Sequence, residues 1–246
     1  HTRRRRQRQM CIRDRDAYFY SENFAFNSEE QMAMDEWMLM QTSRLNAFGF
    51  RVYRMQGTCT IGRNQRVAEI KGRIQESTDL VRRPTGGGTV FHSNDLIYAL
   101  TIPNSHDLYD LKLGDLYREI HLVINSVLRH FAVSAELYDG CVKQLPNFCF
   151  DAPNRFDLLS MKNGKKLGGS AIKKTKKGIL IQGSLEVDLQ AEPFANLFLK
   201  AIIKTFSLEN ILEPMENPRM CCHWSNFCKQ FISCLLYTSD AADDVL

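Results

Sequence analysis

The chain has 246 residues, 44% of them apolar and 24% charged, which is ordinary for a globular protein with one sizeable core or with one large and one small domain. No apolar run approaches the ~20 residues of a membrane-spanning helix, and no apolar segment follows the basic start, so neither membrane integration nor a secretory signal is expected. The net charge of +4 misleads: residues 1–15 alone carry seven Arg and one Asp, residues 219–246 are slightly acidic, and the body between them is near neutral, so the run Arg3–Arg6 does not argue for nucleic-acid binding by the fold.

In chain order, residues 1–15 resemble translated adapter or vector sequence and are read as a non-native extension, leaving 16–218 as the domain. Ser28 followed by Glu29, Glu30 and Gln31 is a helix start, and the stretch to Met40 has strong helix formers with a Met and Trp stripe at core spacing. Phe50–Arg54 alternates as a strand, and Cys59–Gly62 reads as a second strand ending at a turn, with Arg63-Asn64-Gln65 beyond it. Val67–Gln75 reads as a short helix. Asp79–Arg83 leads into the triplet Gly86-Gly87-Gly88, and Val90 to Ile102 follows as strand material. Pro103–His106 is a turn. Leu113–Phe131 is a second long helix, with Leu116, Ile120, Val123, Ile124, Val127 and Leu128 tracing one face.

Val133–Leu137 reads as a strand and Asn147–Asn154 as irregular. Phe156–Ser160 and Lys166–Ile172 read as a hairpin around Asn163-Gly164, Gly178–Leu185 as a further strand and Phe194–Phe206 as a helix. The pattern predicts an α+β fold, a mixed, mainly antiparallel sheet flanked by helices. From Arg219 the character changes abruptly, and residues 219–246 are read as a non-native tail beyond which the native chain is expected to differ. Cys221, Cys222, His223 and Cys228 lack the paired spacing of a zinc site, and no metal is expected. Within the body, Cys59, Cys141 and Cys149 are an odd set without framework spacing, which suits a reducing, cytoplasmic setting.

Three places carry chemistry. The run Arg82-Arg83-Pro84-Thr85-Gly86-Gly87-Gly88-Thr89-Val90-Phe91-His92 bares a stretch of backbone, flanked by cations, against which a polar or anionic head group can lie; a loose hairpin turn is the plainer alternative. Cys149 falls in a loop, Phe148-Cys149-Phe150-Asp151-Ala152-Pro153, rather than in a regular apolar run. A thiol becomes a good nucleophile when a cation favours its thiolate. Lys166, entering a strand that continues Gly168-Gly169-Ser170-Ala171, is a cation able to stabilise both a thiolate and an acyl-transfer oxyanion, although a solvated hairpin lysine would look the same. Lys173, Lys174, Lys176 and Lys177 read as a solvated face or a docking patch.

These residues resemble the biotin/lipoate protein ligase family. Arg82–His92 looks like its RRxTGGGxVxH signature, Lys166–Ala171 like its KxxGSA signature, Glu30–Leu39 like its first helix, and Arg51–Gln65 like its strand pair ending in GRxQ. Cys149-Phe150-Asp151-Ala152-Pro153 resembles the CFDAP segment of the cysteine-dependent octanoyltransferases within that family. The resemblance implies the ligase catalytic-domain fold, and Cys149 and Lys166 as the catalytic pair, with the lysine favouring the thiolate. It implies substrate and acyl binding by Arg82, Arg83, Gly86, Gly87, Gly88, His92, Gly169, Ser170 and Ala171. It further implies an octanoyl group taken from acyl carrier protein onto the cysteine and passed to the lysine of a lipoyl domain, such as that of the glycine-cleavage H protein, with no cofactor. An already octanoylated domain as donor would make the enzyme an amidotransferase of the same fold. The alternative is an ATP-dependent lipoate–protein ligase that needs ATP and Mg²⁺; a non-catalytic binder of lipoyl domains fits the intact lysine and cysteine poorly. The chain departs from the pattern at Gln182, where the family often has histidine, and at Asn154-Arg155.

Overall fold

The structure, a computed structural model, describes residues 16–20, 26–75, 78–140, 148–208, 210–212 and 226–231. Strand β1 (Asp16–Tyr20) precedes helix α1 (Ser28–Leu45), then come β2 (Phe48–Tyr53), β3 (Thr58–Ile61), β4 (Asp79–Arg82), β5 (Val90–His92) and β6 (Leu96–Pro103). Helix α2 (Leu113–His130), β7 (Ala135–Leu137), β8 (Leu158–Ser160), β9 (Lys166–Thr175), β10 (Gly178–Leu185), α3 (Ala191–Thr205) and β11 (Asn210–Leu212) follow. An eight-stranded sheet runs β11-β1-β2-β6-β10-β9-β8-β7, and a three-stranded sheet runs β4-β3-β5. Pairs β11–β1, β1–β2 and β3–β4 are parallel and the rest antiparallel, so the expected mixed, mainly antiparallel α+β architecture is the one observed.

The large sheet is covered on both faces, which is why β6 and β10 are buried at every position. On one face Phe48, Phe50, Tyr98, Leu100 and Ile181 pack with Leu116, Ile120 and Ile124 of α2 and Phe194 and Phe198 of α3. Phe198 sits edge-on to Phe50 at 5.0 Å and to Tyr98 at 5.5 Å. On the other face α1 lays Met32, Met34, Met38 and Leu39 against Ile97, Ala99 and Leu180, and the small sheet joins it through Val81. The Met stripe is thus core, as its spacing implied. Buried Gln31, Asp35, Gln41 and Thr42 interrupt it, so this helix face carries polar side chains as well as apolar ones.

The cap of α1 is Asn27, one residue before the expected start: its side chain accepts from the Glu30 N–H at 2.8 Å and its own N–H donates to Glu30 Oε2 at 3.1 Å. Three readings need correction. Val90 to Ile102 is not continuous strand, because Ser93 and Asn94 turn the chain from the small sheet into the large one and bury Asp95 at the corner. The expected helix Val67–Gln75 is two single 3₁₀ turns, Val67–Glu69 and Lys71–Arg73. The edge strands β1 and β11 had no counterpart in the sequence reading. The hairpin at Asn163-Gly164 is present, with Gly164 at φ 69°. Residues 226–231 are helical, with Phe227 edge-on to Trp37 at 5.1 Å and Cys228 buried in the α1 core. Cys141, Cys221, Cys222 and His223 lie outside the described residues, as do residues 1–15. Among the described residues no helix is long and apolar enough to cross a membrane, and no cluster of three His, Cys, Asp or Glu side chains suits a metal ion.

Phe198 should dominate the stability of the α2/α3 face. Phe198→Ala should cost about 3–5 kcal/mol in urea unfolding, whereas Met161→Ala, at a side chain 63% exposed, should change stability by less than about 0.5 kcal/mol.

Candidate active site

The site lies where the small sheet faces the large one. Its floor crosses four strands of the large sheet in register: Gly169 opposite Ser184, Ser184 opposite Ile97, and Ile97 opposite Tyr53. Three interstrand steps of ~4.8 Å make this floor roughly 14 Å long. Its roof is Gly87, Gly88, Val90 and His92, with Met32 of α1 and Met55 closing the far part. The cavity between them holds about 280 Å³, near the lower end of small-molecule sites. Cys149, Lys166, Asp157 and Tyr117 stand around the β9 end of the floor.

The loop that carries Cys149 is fastened to the glycine run. The Cys149 N–H donates to Thr89 O at 2.8 Å. The Phe148 ring stacks on Phe91 at 5.5 Å, and the Arg73 guanidinium lies 3.7 Å from its centroid. The Cys149 thiol then donates to Gly88 O at 3.1 Å. Gly87 has φ 91°, and a Cβ there would lie 2.8 Å from Arg83 Nη2 and 3.8 Å from the Cys149 sulfur, so a side chain at 87 is excluded both by backbone conformation and by space.

Lys166 is buried, its side chain 6% exposed, and pairs at 2.6 Å with Asp157, which is fully buried. The same ammonium donates to the Cys149 carbonyl oxygen at 2.6 Å. Asp157 also accepts from the Asn154 N–H at 2.6 Å and from the Tyr117 hydroxyl. A buried charge pair is tolerable when hydrogen bonds from its surroundings support it, and here three further partners do so. Gly169 makes room for the pair: a Cβ there would sit 2.7 Å from Asp157 Oδ1 and 3.1 Å from Lys166 Nζ.

Behind β9, the Ser170 N–H donates to Tyr117 Oη at 2.9 Å, and the Ser170 hydroxyl bonds to Tyr98 Oη and, at 2.6 Å, to His121 Nε2. His121 Nδ1 donates to Phe156 O at 2.6 Å. Burial pushes the His121 pKa from 6.5 down to about 4, so the ring is neutral near pH 7. On the roof side, His92 bonds to Asp95 at 2.7 Å and to Thr60 at 2.9 Å. Gln182 accepts from Thr85 at 2.7 Å and donates to Asp35 at 2.5 Å, tying the start of the glycine run to α1. Tyr53 donates to the same Asp35 oxygen at 2.8 Å. Burial raises the pKa of Asp35, against the opposing effects of Arg51 and these hydrogen bonds.

Most of the residues expected from the sequence come together. Arg83, Gly87, Gly88, His92, Cys149, Lys166, Gly169, Ser170 and Ala171 all line the cavity. Arg82 and Gly86 do not: the Arg82 guanidinium donates to the carbonyls of Gly62, Arg63 and Gln65 at 2.7–3.0 Å, and Gly86 supplies a carbonyl to Arg83 at 2.7 Å. Among the described residues, Lys166 makes no hydrogen bond to the Cys149 sulfur; it holds that residue's carbonyl. Sequence reading missed Asp157, Tyr117, His121, Asp95 and Asp35. A usable signal existed for one of them, since His121 falls beside Ile120 and Val123–Ile124 on the apolar face of α2, where a polar side chain calls for a buried partner.

Residues 27–236 match the family model described as the lipoyl protein ligase A/B catalytic domain. The chain is similar to an octanoyltransferase LipM of Oceanobacillus iheyensis, 28% identical over 75% of this chain and 69% of that one. It is similar also to an octanoyltransferase LipM of Staphylococcus epidermidis, 30% identical over 70% of this chain and 66% of that one. It therefore spans about two thirds of the length of these relatives. Among solved structures, it shares its fold with a lipoate-protein ligase A bound with ATP (TM-score 0.68, 16% identity, covering 89% of this chain and 94% of that one). It shares the fold also with a bipartite lipoate protein ligase from Thermoplasma acidophilum, studied with its E2 lipoyl domain (TM-score 0.63, 15% identity, covering 89% and 91%).

The depressed His121 pKa sets a pH dependence of stability. The folded state resists protonation that the unfolded chain accepts below about pH 6.5, so stability falls as pH drops from about 6.5 to about 4. The full effect is on the order of 3 kcal/mol. His121→Gln should flatten that part of a urea-denaturation series; a series of unchanged slope would show that His121 titrates normally.

Proposed function

Because the chain belongs to the lipoyl protein ligase A/B catalytic-domain family, we propose that it is an acyltransferase of protein lipoylation, moving an octanoyl group from acyl carrier protein through Cys149 to the lysine of a lipoyl domain. One observation carries this reading: a cysteine thiol stands at the wall of an apolar cavity while a buried ammonium grips its own carbonyl, 2.6 Å away. The two relatives described above are named octanoyltransferases, which supports octanoyl transfer.

In the first half-reaction the Cys149 thiolate attacks the carbonyl carbon of the donor thioester. The new C–S bond forms, the donor C–S bond breaks, and the carrier leaves as its thiolate, which takes a proton from solvent. Charge builds on the carbonyl oxygen in between, and the Lys166 ammonium together with backbone N–H groups of the glycine run supplies its stabilisation. In the second half-reaction the neutral amine of the acceptor lysine attacks the enzyme thioester, an amide C–N bond forms, Cys149 is released and the amine's proton passes to solvent. Both steps start from an activated thioester, so no nucleotide is required. The apolar wall, Met32, Tyr53, Met55, Val90 and Ile97, suits an eight-carbon chain. Burying about seven methylenes at ~0.8 kcal/mol each contributes about 5–6 kcal/mol to binding. A thiol nucleophile of this kind fits the reducing cytoplasm.

Two parallel assays test the reading. Octanoyl-carrier protein and apo H protein without ATP should give octanoylated H protein, and Cys149→Ala should lower that rate by about a thousandfold or more. Product formed only from free octanoate with ATP and Mg²⁺ would replace the transferase with a ligase, and undiminished turnover in Cys149→Ala would show that the cysteine is structural.

A further inference from the structure

We propose that His121 is a positioning residue for the Cys149–Lys166 pair: it pins Phe156 in a left-handed backbone conformation, and that reversal aims Asp157, and through it Lys166, at the Cys149 loop. The inference rests on the octanoyltransferase reading and adds to it a residue that stands behind the cavity wall rather than in it.

Phe156 stands at φ 70°. A bulky aromatic residue disfavours that region and stays there only where its surroundings over-determine it. Here they do. The Phe156 N–H donates to Tyr138 O at 2.6 Å, and the Phe156 carbonyl accepts from His121 Nδ1 at 2.6 Å. On either side, the Asp157 N–H donates to Asn154 O at 3.0 Å and the Tyr138 N–H donates to Asp157 O at 2.8 Å. Strand β8 begins directly after Asp157, at the fully buried Leu158. The reversal therefore falls where the Cys149 loop enters the large sheet. The residue after it turns its carboxylate inward, to Lys166 and to the Tyr117 hydroxyl.

His121 reaches this corner from α2 and is buried. Chemistry fixes the direction of its bonds. A carbonyl can only accept, so Nδ1 carries the proton. The ring is neutral, so Nε2 accepts from the Ser170 hydroxyl, whose oxygen in turn accepts from Tyr98. Tyr98 on β6 and Ser170 on β9 belong to the sheet, so the imidazole is a strut from the sheet to the Phe156 carbonyl. Tyr117 lies one helical turn before His121, its ring 4.1 Å away, and makes the parallel connection from the Ser170 N–H to Asp157. Two side chains of one helix face thus join β9 to the loop, one at the backbone of residue 156 and the other at the carboxylate of residue 157. Without the strut, Phe156 returns to negative φ, and that rotation swings Asp157 away from Lys166.

The test is a rescue in the full chain. His121→Ala removes the strut, and octanoyl transfer to apo H protein should lose roughly tenfold or more in kcat, with the KM for octanoyl-carrier protein within about twofold of wild type. Glycine adopts the left-handed conformation with no Cβ in the way, so adding Phe156→Gly to His121→Ala should recover about threefold or more in kcat, although the double variant has lost more packing than the single one. His121→Asn, whose amide nitrogen falls where Nδ1 was, should stay within about threefold of wild type. No recovery in the double variant, or a His121→Asn as slow as His121→Ala, would overturn the proposal. If His121→Ala fails to fold, urea unfolding of two single variants decides. Phe156→Gly and Phe156→Ala both lose the ring, but only glycine releases the backbone, so the midpoint of Phe156→Gly should lie above that of Phe156→Ala; an equal or lower midpoint would overturn the proposal. Unfolding involves no substrate, so its outcome is independent of the transferase reading. An ATP requirement in wild-type turnover would remove that reading alone, and the rescue would then be read on the ATP-dependent reaction.

Discussion

The site depends on one buried ion pair, Lys166 with Asp157. Neither charge can stay inside the protein without a full set of partners, and the partners available are parts of the site itself. Asp157 takes the Asn154 N–H, the Tyr117 hydroxyl and the Lys166 ammonium, and Lys166 also donates to the Cys149 carbonyl. The loop from Phe148 to Asp157 is thereby closed on itself by electrostatics at one end and stacked on Phe91 at the other. Cys149 inherits its position from a charge pair, and the charge pair inherits its depth from α2 and β9.

The larger architecture serves the same end. A sheet covered on both faces gives β9 and β10 a rigid register, and that register lines up Gly169, Ser184, Ile97 and Tyr53 as the cavity floor. Packing of Phe50, Tyr98, Phe194 and Phe198 supplies the stability that lets polar groups such as Asp35, Gln182 and His121 remain buried on either side. The small sheet is held over this floor through Gln182, which bonds both Thr85 at the start of the glycine run and Asp35 on α1.

Much of this was legible from residues alone. Helices α1, α2 and α3 announce themselves through capping and periodicity, and the β8–β9 hairpin through Asn163-Gly164. The glycine run, Cys149 and Lys166 were legible as chemistry, and they do meet around one cavity. What was not legible depends on tertiary contact. Strands β1 and β11 pair at the sheet edge far apart in sequence, and nothing local marks them. The break between β5 and β6 is invisible in the apolar pattern, because Asp95 is buried there, with one carboxylate oxygen bonded to His92 and Ser184. Arg82 and Arg83 look alike in sequence. One braces the turn at Gly62 and the other faces a sulfur, and only the register of β4 against β3 tells them apart.

The most direct measurement supplies octanoyl-carrier protein to the enzyme with neither acceptor nor ATP, then locates the acyl group by peptide mass spectrometry. A hydroxylamine-labile octanoyl thioester on Cys149 is the predicted result. No adduct, or an adduct on another cysteine, would contradict the covalent role of Cys149.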